Sequence, residues 1–261
     1  MVGIDKIREY LSEFSANYVI IGGTACNLNL EEAELQGRAT KDIDMIVVCE
    51  TINIEYVRQF WTFIKAGGYK VCPISVNPDG IHQLNYYRFI EPTDCSFPAY
   101  IELFSRAPDG IRIPEDVHLV HINTDDDYLS GFSAILMSDD YYDYAIANSR
   151  DIDGIRVLDK NAIIVLKVKA YLNNKKRKEE GQKVNQDDID KHKKDIYRIS
   201  FLFSGEERYE VADSIKKDLN DFLIHLSTDP ISTKAISKVM GIMVEVPLID
   251  FIQKIKNLFQ L

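Results

Sequence analysis

Apolar residues recur along this chain in two rhythms. Ile4, Ile7, Leu11 and Phe14 fall at helical spacing and predict a helix over Ile4–Phe14. Tyr18–Ile21 is a short unbroken apolar run, the mark of a buried strand, and it ends at Gly22-Gly23, where the backbone can turn tightly. A helix over Thr24–Leu35 stopped by Gly37, a β-branched strand over Ile43–Val48 and a helix over Ile54–Lys65 closed by Gly67-Gly68 follow. A β-rich stretch comes next, with strands at Lys70–Ser75, Gln83–Ile90, Ala99–Ser105, His118–Ile122 and Phe132–Met137. Residues 106–131 are mostly polar and punctuated by Pro and Gly, which favours loops there. Asp139–Ser149 reads as a short helix and Ile155–Leu158 as the last strand.

Beyond Asp159 only the helical rhythm remains. Ala162–Leu172 is a helix, Asn173–Gln186 a charged connector, and Asp187–Phe203, Glu206–Leu226 and Ile231–Leu261 are further helices. Strands alternating with helices and then giving way to helices predict an α+β fold, a mixed sheet with flanking helices over residues 1–158 followed by an all-helical half over 159–261.

Composition changes this picture in one respect. The 261 residues carry a net charge of −10, with ordinary globular proportions of apolar (46%) and charged (28%) residues, which excludes a disordered tail, a collagenous chain or a coiled-coil rod. No apolar run approaches the roughly 20 residues of a membrane span, and no secretory signal is visible at residues 1–10, so a soluble, cytoplasmic protein without membrane contact is expected. The charge is uneven. Residues 1–159 hold 12 basic and 26 acidic side chains, a net of −14, whereas residues 160–194 hold 11 basic and 5 acidic, a net of +6. Such an acidic body argues against broad coating of nucleic acid, while the basic strip permits a phosphate-bearing ligand. The four cysteines, at 26, 49, 72 and 95, are too far apart for a C-x-x-C motif and predict reduced, mostly buried thiols.

Candidate chemistry lies in Gly22-Gly23-Thr24-Ala25 and Arg38-Ala39-Thr40-Lys41-Asp42-Ile43-Asp44-Met45. Strand side chains alternate faces, so Asp42 and Asp44 share one side with Cα atoms roughly 6–7 Å apart. Two carboxylates on one face repel unless a cation neutralises them, and all-oxygen ligation suits Mg²⁺ held together with substrate phosphates. A Gly-Gly turn at a helix start offers backbone N–H groups to phosphate. Glu102, a lone acid inside the apolar Tyr100-Ile101-Glu102-Leu103-Phe104, is the candidate third carboxylate. Taken singly, Asp-x-Asp and Gly-Gly are more often surface acids and an ordinary turn; their order along the chain is what carries weight.

In that ordered set the chain resembles the nucleotidyltransferase superfamily, more closely its AbiEii-type branch. The pattern there is a Gly-Gly or Gly-Ser turn, an Arg-x-Ser/Thr-x-Asp-Ile-Asp strand and a later strand acid, matched here by Gly22-Gly23, Arg38, Thr40, Asp42-Ile43-Asp44 and Glu102. A Leu-Lys-x-x-Ala segment matches Leu166-Lys167-Val168-Lys169-Ala170, and a Lys-x-x-x-Asp segment matches Lys191 to Asp195. The final 60 or so residues carry no recognised motif, and Gly23 stands where a serine is common.

The resemblance implies a transferase that moves an NMP from an NTP to an acceptor hydroxyl. Asp42, Asp44 and Glu102 would hold Mg²⁺ or Mn²⁺, Gly22, Gly23 and Thr24 would seat the β/γ-phosphates, and Arg38 and Thr40 would also bind the nucleotide. Lys167, placed among the catalytic residues, and Lys191 would neutralise triphosphate charge; Asp195 would contact base, ribose or acceptor, or simply pair with Lys191 one turn earlier. For Lys167 and Lys169 the rival reading is snorkelling from an amphipathic helix, and His192 is expected to be structural or solvent-facing. The branch implies tRNA as an acceptor and a toxin of a toxin–antitoxin pair, hence a cognate antitoxin protein as partner. Lys175-Lys176-Arg177-Lys178 would be a reasonable acceptor contact, or else a mobile solvated loop. Two alternatives stay open: an inactive nucleotide- or partner-binding module of the same fold, and nucleotidylation of a protein or small molecule. Nothing in the residues selects the NTP.

Overall fold

Ile4, Ile7 and Leu11 line the buried side of the first helix, α1 (Ile4–Leu11), which runs through a 3-10 turn at Ser12–Asn17 into a fully buried strand, β1 (Tyr18–Ile21). The computed structural model of the chain describes residues 2–71, 87–107, 119–121 and 133–261. Residues 1–24, 39–142 and 149–158 form one compact unit, and residues 25–38, 143–148 and 159–261 form another.

The helix α2 (Gly22–Glu32) begins directly at Gly22, so the glycine pair forms its first turn instead of a loop before it. β2 (Asp42–Val47) follows, then α3 (Ile54–Gly67), whose ends are well defined. Asn53 Oδ1 accepts the Tyr56 N–H at 2.8 Å, and Gly68, at φ 62°, closes the helix with its N–H on the Ile64 carbonyl. Short strands β3 (Lys70–Val71), β4 (Arg88–Ile90), β5 (Tyr100–Ser105), β6 (Leu119–His121) and β7 (Ser133–Leu136) come next, then α4 (Asp139–Ala147). The expected strand residues 72–75 and 83–86, and Cys72, lie outside the described residues, as does most of the expected loop region.

Among the described residues a single mixed sheet runs in the order β3-β4-β5-β2-β1, continuing through β9 (Ile155–Leu158) to β8 (Ser149–Ile152) at the far edge. β1 pairs antiparallel with β2 and parallel with β9. β2 and β5 are parallel, with Asp44 opposite Glu102. The outer edge of β5 is divided: β4 pairs antiparallel with residues 100–102, and β7 pairs parallel with residues 104–105. Tyr56, Phe60, Phe63 and Ile64 of α3 are buried, and the Phe60 ring meets Phe89 of β4 edge-on at 5.6 Å, so aromatic packing anchors this helix to the sheet.

The strand β8 departs from the sequence expectation, which carried α4 through Ser149. Asp153 and Gly154 have φ of 52° and 82°, the positive pair that a two-residue hairpin turn needs, and they join β8 to β9.

The second unit is helical over its C-terminal part: α5 (Lys160–Glu179), α6 (Gln186–Ser200), α7 (Asp213–Thr228), α8 (Thr233–Val239) and α9 (Leu248–Phe259). Edge-on ring contacts between Tyr171 and Phe222 (5.3 Å) and between Tyr197 and Phe251 (5.2 Å) tie α5 to α7 and α6 to α9. The expected connector from Asn173 is instead the end of α5. Lys175 and Lys176 face Glu179 and Glu180 one turn on, and three cations in the last turn complement the helix dipole. The region 204–212 is irregular where a helix from Glu206 was expected, with Glu207 accepting from Ser204 and Gly205. The expected helix over Ile231–Leu261 is broken between α8 and α9 at Gly241 and Pro247. Among the described residues no helix is long and apolar enough to cross a membrane.

Candidate functional site

The sheet register builds the first constellation within the α/β unit. Ile21, Asp44, Glu102 and Arg88 face one another in one row across β1, β2, β5 and β4, and Asp42, Tyr100 and Ile90 form the next row. Paired residues and residues two apart share a face, so Asp42, Asp44, Glu102, Tyr100 and Arg88 lie on the same side of the sheet. Ile43 and Met45, on the other side, are buried, whereas Asp42 is exposed and Asp44 half-buried. The strand is thus held by its apolar face while its acids remain accessible.

Gly22 is fixed by this arrangement. Its φ is 69°, and a Cβ there would lie 2.1 Å from Asp44 Oδ2, so the carboxylate rests against the first residue of α2. A carboxylate at a helix N-terminus is stabilised by the helix dipole. Thr24 is buried and its Oγ1 donates to the Asp42 carbonyl at 2.7 Å, so its hydroxyl fastens the start of β2 to the first turn of α2.

Glu102 has a partner that the sequence did not suggest. Its Oε1 accepts from Arg88 Nε at 2.9 Å, from Arg88 Nη2, and from the Tyr100 hydroxyl at 2.9 Å. Burial and the negative charge of Glu102 together push the Tyr100 hydroxyl well above its ordinary pKa, so it stays a donor. Among the described residues no three of His, Cys, Asp or Glu are grouped closely enough to hold a metal ion together. The donor chemistry of Asp42 and Asp44, hard oxygens on one face with at least one carboxylate exposed, still fits Mg²⁺ or Mn²⁺ completed by substrate oxygens.

A second constellation lies in the helical unit. Asp195 on α6 is fully buried and accepts from three cations: Lys167 of α5 at 2.7 Å, Arg38 at 3.1 Å and Arg198 at 2.8 Å. Burial pushes its carboxyl up, but Lys167, Arg38 and Arg198 outweigh burial and bring it to about 2. Lys167 is itself buried, which rules out snorkelling for it, whereas the partly exposed Lys169 reaches Asp218 at 2.7 Å. Asp195 does not pair with Lys191, because its carboxylate turns inward to Lys167 while Lys191, partly exposed, reaches back to Asp188 at 2.9 Å. Thr40 is half-buried.

His192 is neither solvent-facing nor a base poised near neutrality. Its Nδ1 is enclosed with no hydrogen-bond partner among the described residues, and its Nε2 lies 3.4 Å from Asn174. Burial, with Lys167 and Lys191 adding to it, lowers its pKa to about 3. Cys26 is buried and held protonated by that burial, its thiol pushed up to about 12, while Cys49 is half-buried and Cys95 exposed; all three are free thiols. The exposed Cys95 departs from the expected burial.

The basic residues Lys175 and Lys178, on the final turns of α5, line an open pocket of about 260 Å³ with Tyr171, Ile189 and Asp229. Arg88, Tyr100 and Arg198 are the site residues that sequence reasoning missed. Arg198 was readable, standing three residues beyond Asp195 on one helix. Arg88 was not, because its pairing with Glu102 depends on strand register. A scan against protein-family models found no match for the chain, and a search of curated proteins found none either.

Proposed function

We propose that the protein is a Mg²⁺-dependent nucleotidyltransferase that moves an NMP from an NTP to an acceptor hydroxyl, with tRNA as the acceptor. The observation that carries this reading is the shared face on which Asp42, Asp44 and Glu102 follow the glycine-initiated helix α2. Asp42 and Asp44 are the residues that would hold Mg²⁺, and the bound ion would supply charge neutralisation at the substrate phosphates. The remaining work falls to the chain itself. The first turn of α2 offers backbone N–H groups to phosphate oxygens, and Gly22 lets that turn approach without a side chain. Thr24 holds that turn to the start of β2, which fixes the spacing between phosphate donors and acids. In the helical unit, three cations around the one carboxylate of Asp195 leave a surplus of positive charge that suits a phosphate-bearing partner.

Incubating the protein with each α-labelled NTP, Mg²⁺ and total RNA tests the reading. Label should pass to the tRNA fraction with the wild type and not with Asp42→Ala/Asp44→Ala. The toxin reading, with a cognate antitoxin as partner, is tested by expression in a bacterial host: growth arrest that the double substitution relieves supports it, and unimpaired growth with the wild type removes it.

A second reading has an observation of its own. Glu102 is paired with Arg88 and Lys167 with Asp195, an arrangement that also suits a non-catalytic nucleotide-binding module of the same fold. Nucleotide binding without transfer to RNA, protein or small molecule, under any metal, selects that reading.

A further inference from the structure

Glu102 stands between two possible partners in one row, Asp44 on one flank of β5 and Arg88 on the other. Its carboxylate has gone to Arg88. All the hydrogen bonds that described residues give Glu102 fall on Oε1, from both nitrogens of the arginine fork and from Tyr100. The guanidinium also lies 5.5 Å from the Tyr87 ring centroid and 5.7 Å from that of Tyr100. These ring contacts do not involve the carboxylate. The Arg88 side chain is 34% exposed and that of Glu102 15%, so water can reach both charges when the pair opens. The pair directs the carboxylate to the β4 side, and its partial exposure leaves a route for a competing cation.

We propose that Arg88 is a latch on Glu102: a positioning residue that holds this carboxylate on the β4 side until a divalent cation and a phosphate-bearing substrate arrive. The inference rests on the nucleotidyltransferase reading of the Asp42–Asp44 face. Without a cation, three carboxylates on one face repel one another, and the guanidinium offsets one of the three charges. With a cation present, the carboxylate exchanges Arg88 for the Asp44 side. The guanidinium, still lodged against Tyr87 and Tyr100, passes to a phosphate oxygen of the substrate, which its planar fork fits. No covalent bond changes; each anion exchanges one cationic partner for another.

Mn²⁺ binding to the full chain, followed by electron paramagnetic resonance without nucleotide, reads the latch directly. Arg88→Gln should bind Mn²⁺ about tenfold more tightly than the wild type, since a positive charge near the ion is removed and a carboxylate released. Arg88→Lys should stay near the wild type, and Arg88→Gln/Glu102→Gln should lose the gain. Tyr100→Phe, which removes one donor from the same oxygen, should tighten binding about twofold and keeps the test open if Arg88→Gln fails to fold. Unchanged Mn²⁺ affinity in folded Arg88→Gln, or in Tyr100→Phe where Arg88→Gln does not fold, overturns the latch. If Asp42→Asn/Asp44→Asn binds Mn²⁺ as the wild type does, the metal reading of that face fails and the latch fails with it. If that double variant loses the ion while the Arg88 and Tyr100 variants change nothing, only the latch fails.

Discussion

Replacing Asp195 with Asn should destabilise the helical unit severely. The carboxylate is fully buried and is the shared acceptor for Lys167, Arg38 and Arg198, two of which are themselves buried. An amide of nearly the same shape leaves the packing intact and removes only the charge, so Lys167 and Arg198 remain inside without a counter-ion. Leaving a buried charge unpaired costs about 3–5 kcal/mol. For a chain of this length that lowers the melting temperature by about 10 °C. The low pKa gives an independent figure. A carboxyl held at about 2 rather than at its ordinary value of 3.8 is worth about 2–3 kcal/mol. The native state binds this proton less readily than the unfolded state, so the contribution is complete above about pH 4 and is lost as pH falls toward 2. The substitution should therefore cost more than the linkage value, because it strands cations as well as removing an anion. Thermal melts of the wild type and Asp195→Asn between pH 7 and pH 3 measure both effects, and the gap between the curves should narrow in acid. A variant that melts within about 2 °C of the wild type at pH 7, with a parallel acid profile, would show that the three cations do not depend on Asp195.

Two further outcomes follow from the same geometry. Gly22→Ala should lower stability by at least about 1–2 kcal/mol, since a left-handed φ costs an L-residue that much before the clash with Asp44 Oδ2 is counted; a denaturant midpoint equal to that of the wild type counts against the placement of that carboxylate. The His192 imidazole should show no titration between pH 8 and pH 5 by NMR, because its pKa lies at about 3; the histidine would disfavour folding progressively as pH falls from about 6.5, and a midpoint above 5 contradicts its enclosure.

Local pattern made much of the α/β unit legible. Unbroken or alternating apolar runs marked β1, β2 and β5, and Gly67-Gly68 marked the end of α3. What remained hidden was hidden for identifiable reasons. The β8–β9 hairpin carried its own signal in Asp153-Gly154, but Ser149–Ile152 is too polar to read as a strand until it is seen paired as an edge. The basic run at 175–178 looked like loop because its charge masks a helical continuation supported by Glu179 and Glu180. At the candidate site, alternation placed Asp42 and Asp44 on one face, but the partner of Glu102 comes from a strand 14 residues away whose register no local rule supplies. The Lys167–Asp195 pair spans 28 residues and two helices, and only packing brings it together. Contacts set by register or helix packing were not readable, and packing overrode local pairing even within α6, where Asp195 turns to Arg198 and Lys167 while Lys191 turns to Asp188.

The divided outer edge of β5 has a mechanical consequence. Among the described residues β4 pairs with residues 100–102, the Leu103 N–H adds a bond to the Tyr87 carbonyl at 2.9 Å, and β7 begins at 104, so the two ladders meet as neighbouring fasteners on one rail. Opening the β4 ladder need not disturb the β7 ladder, so an opening confined to β4 is expected to be a local one. The strand that carries Arg88 can thus breathe without the sheet coming apart, and its amides should exchange with deuterium earlier than those of β1 and β2 at the centre.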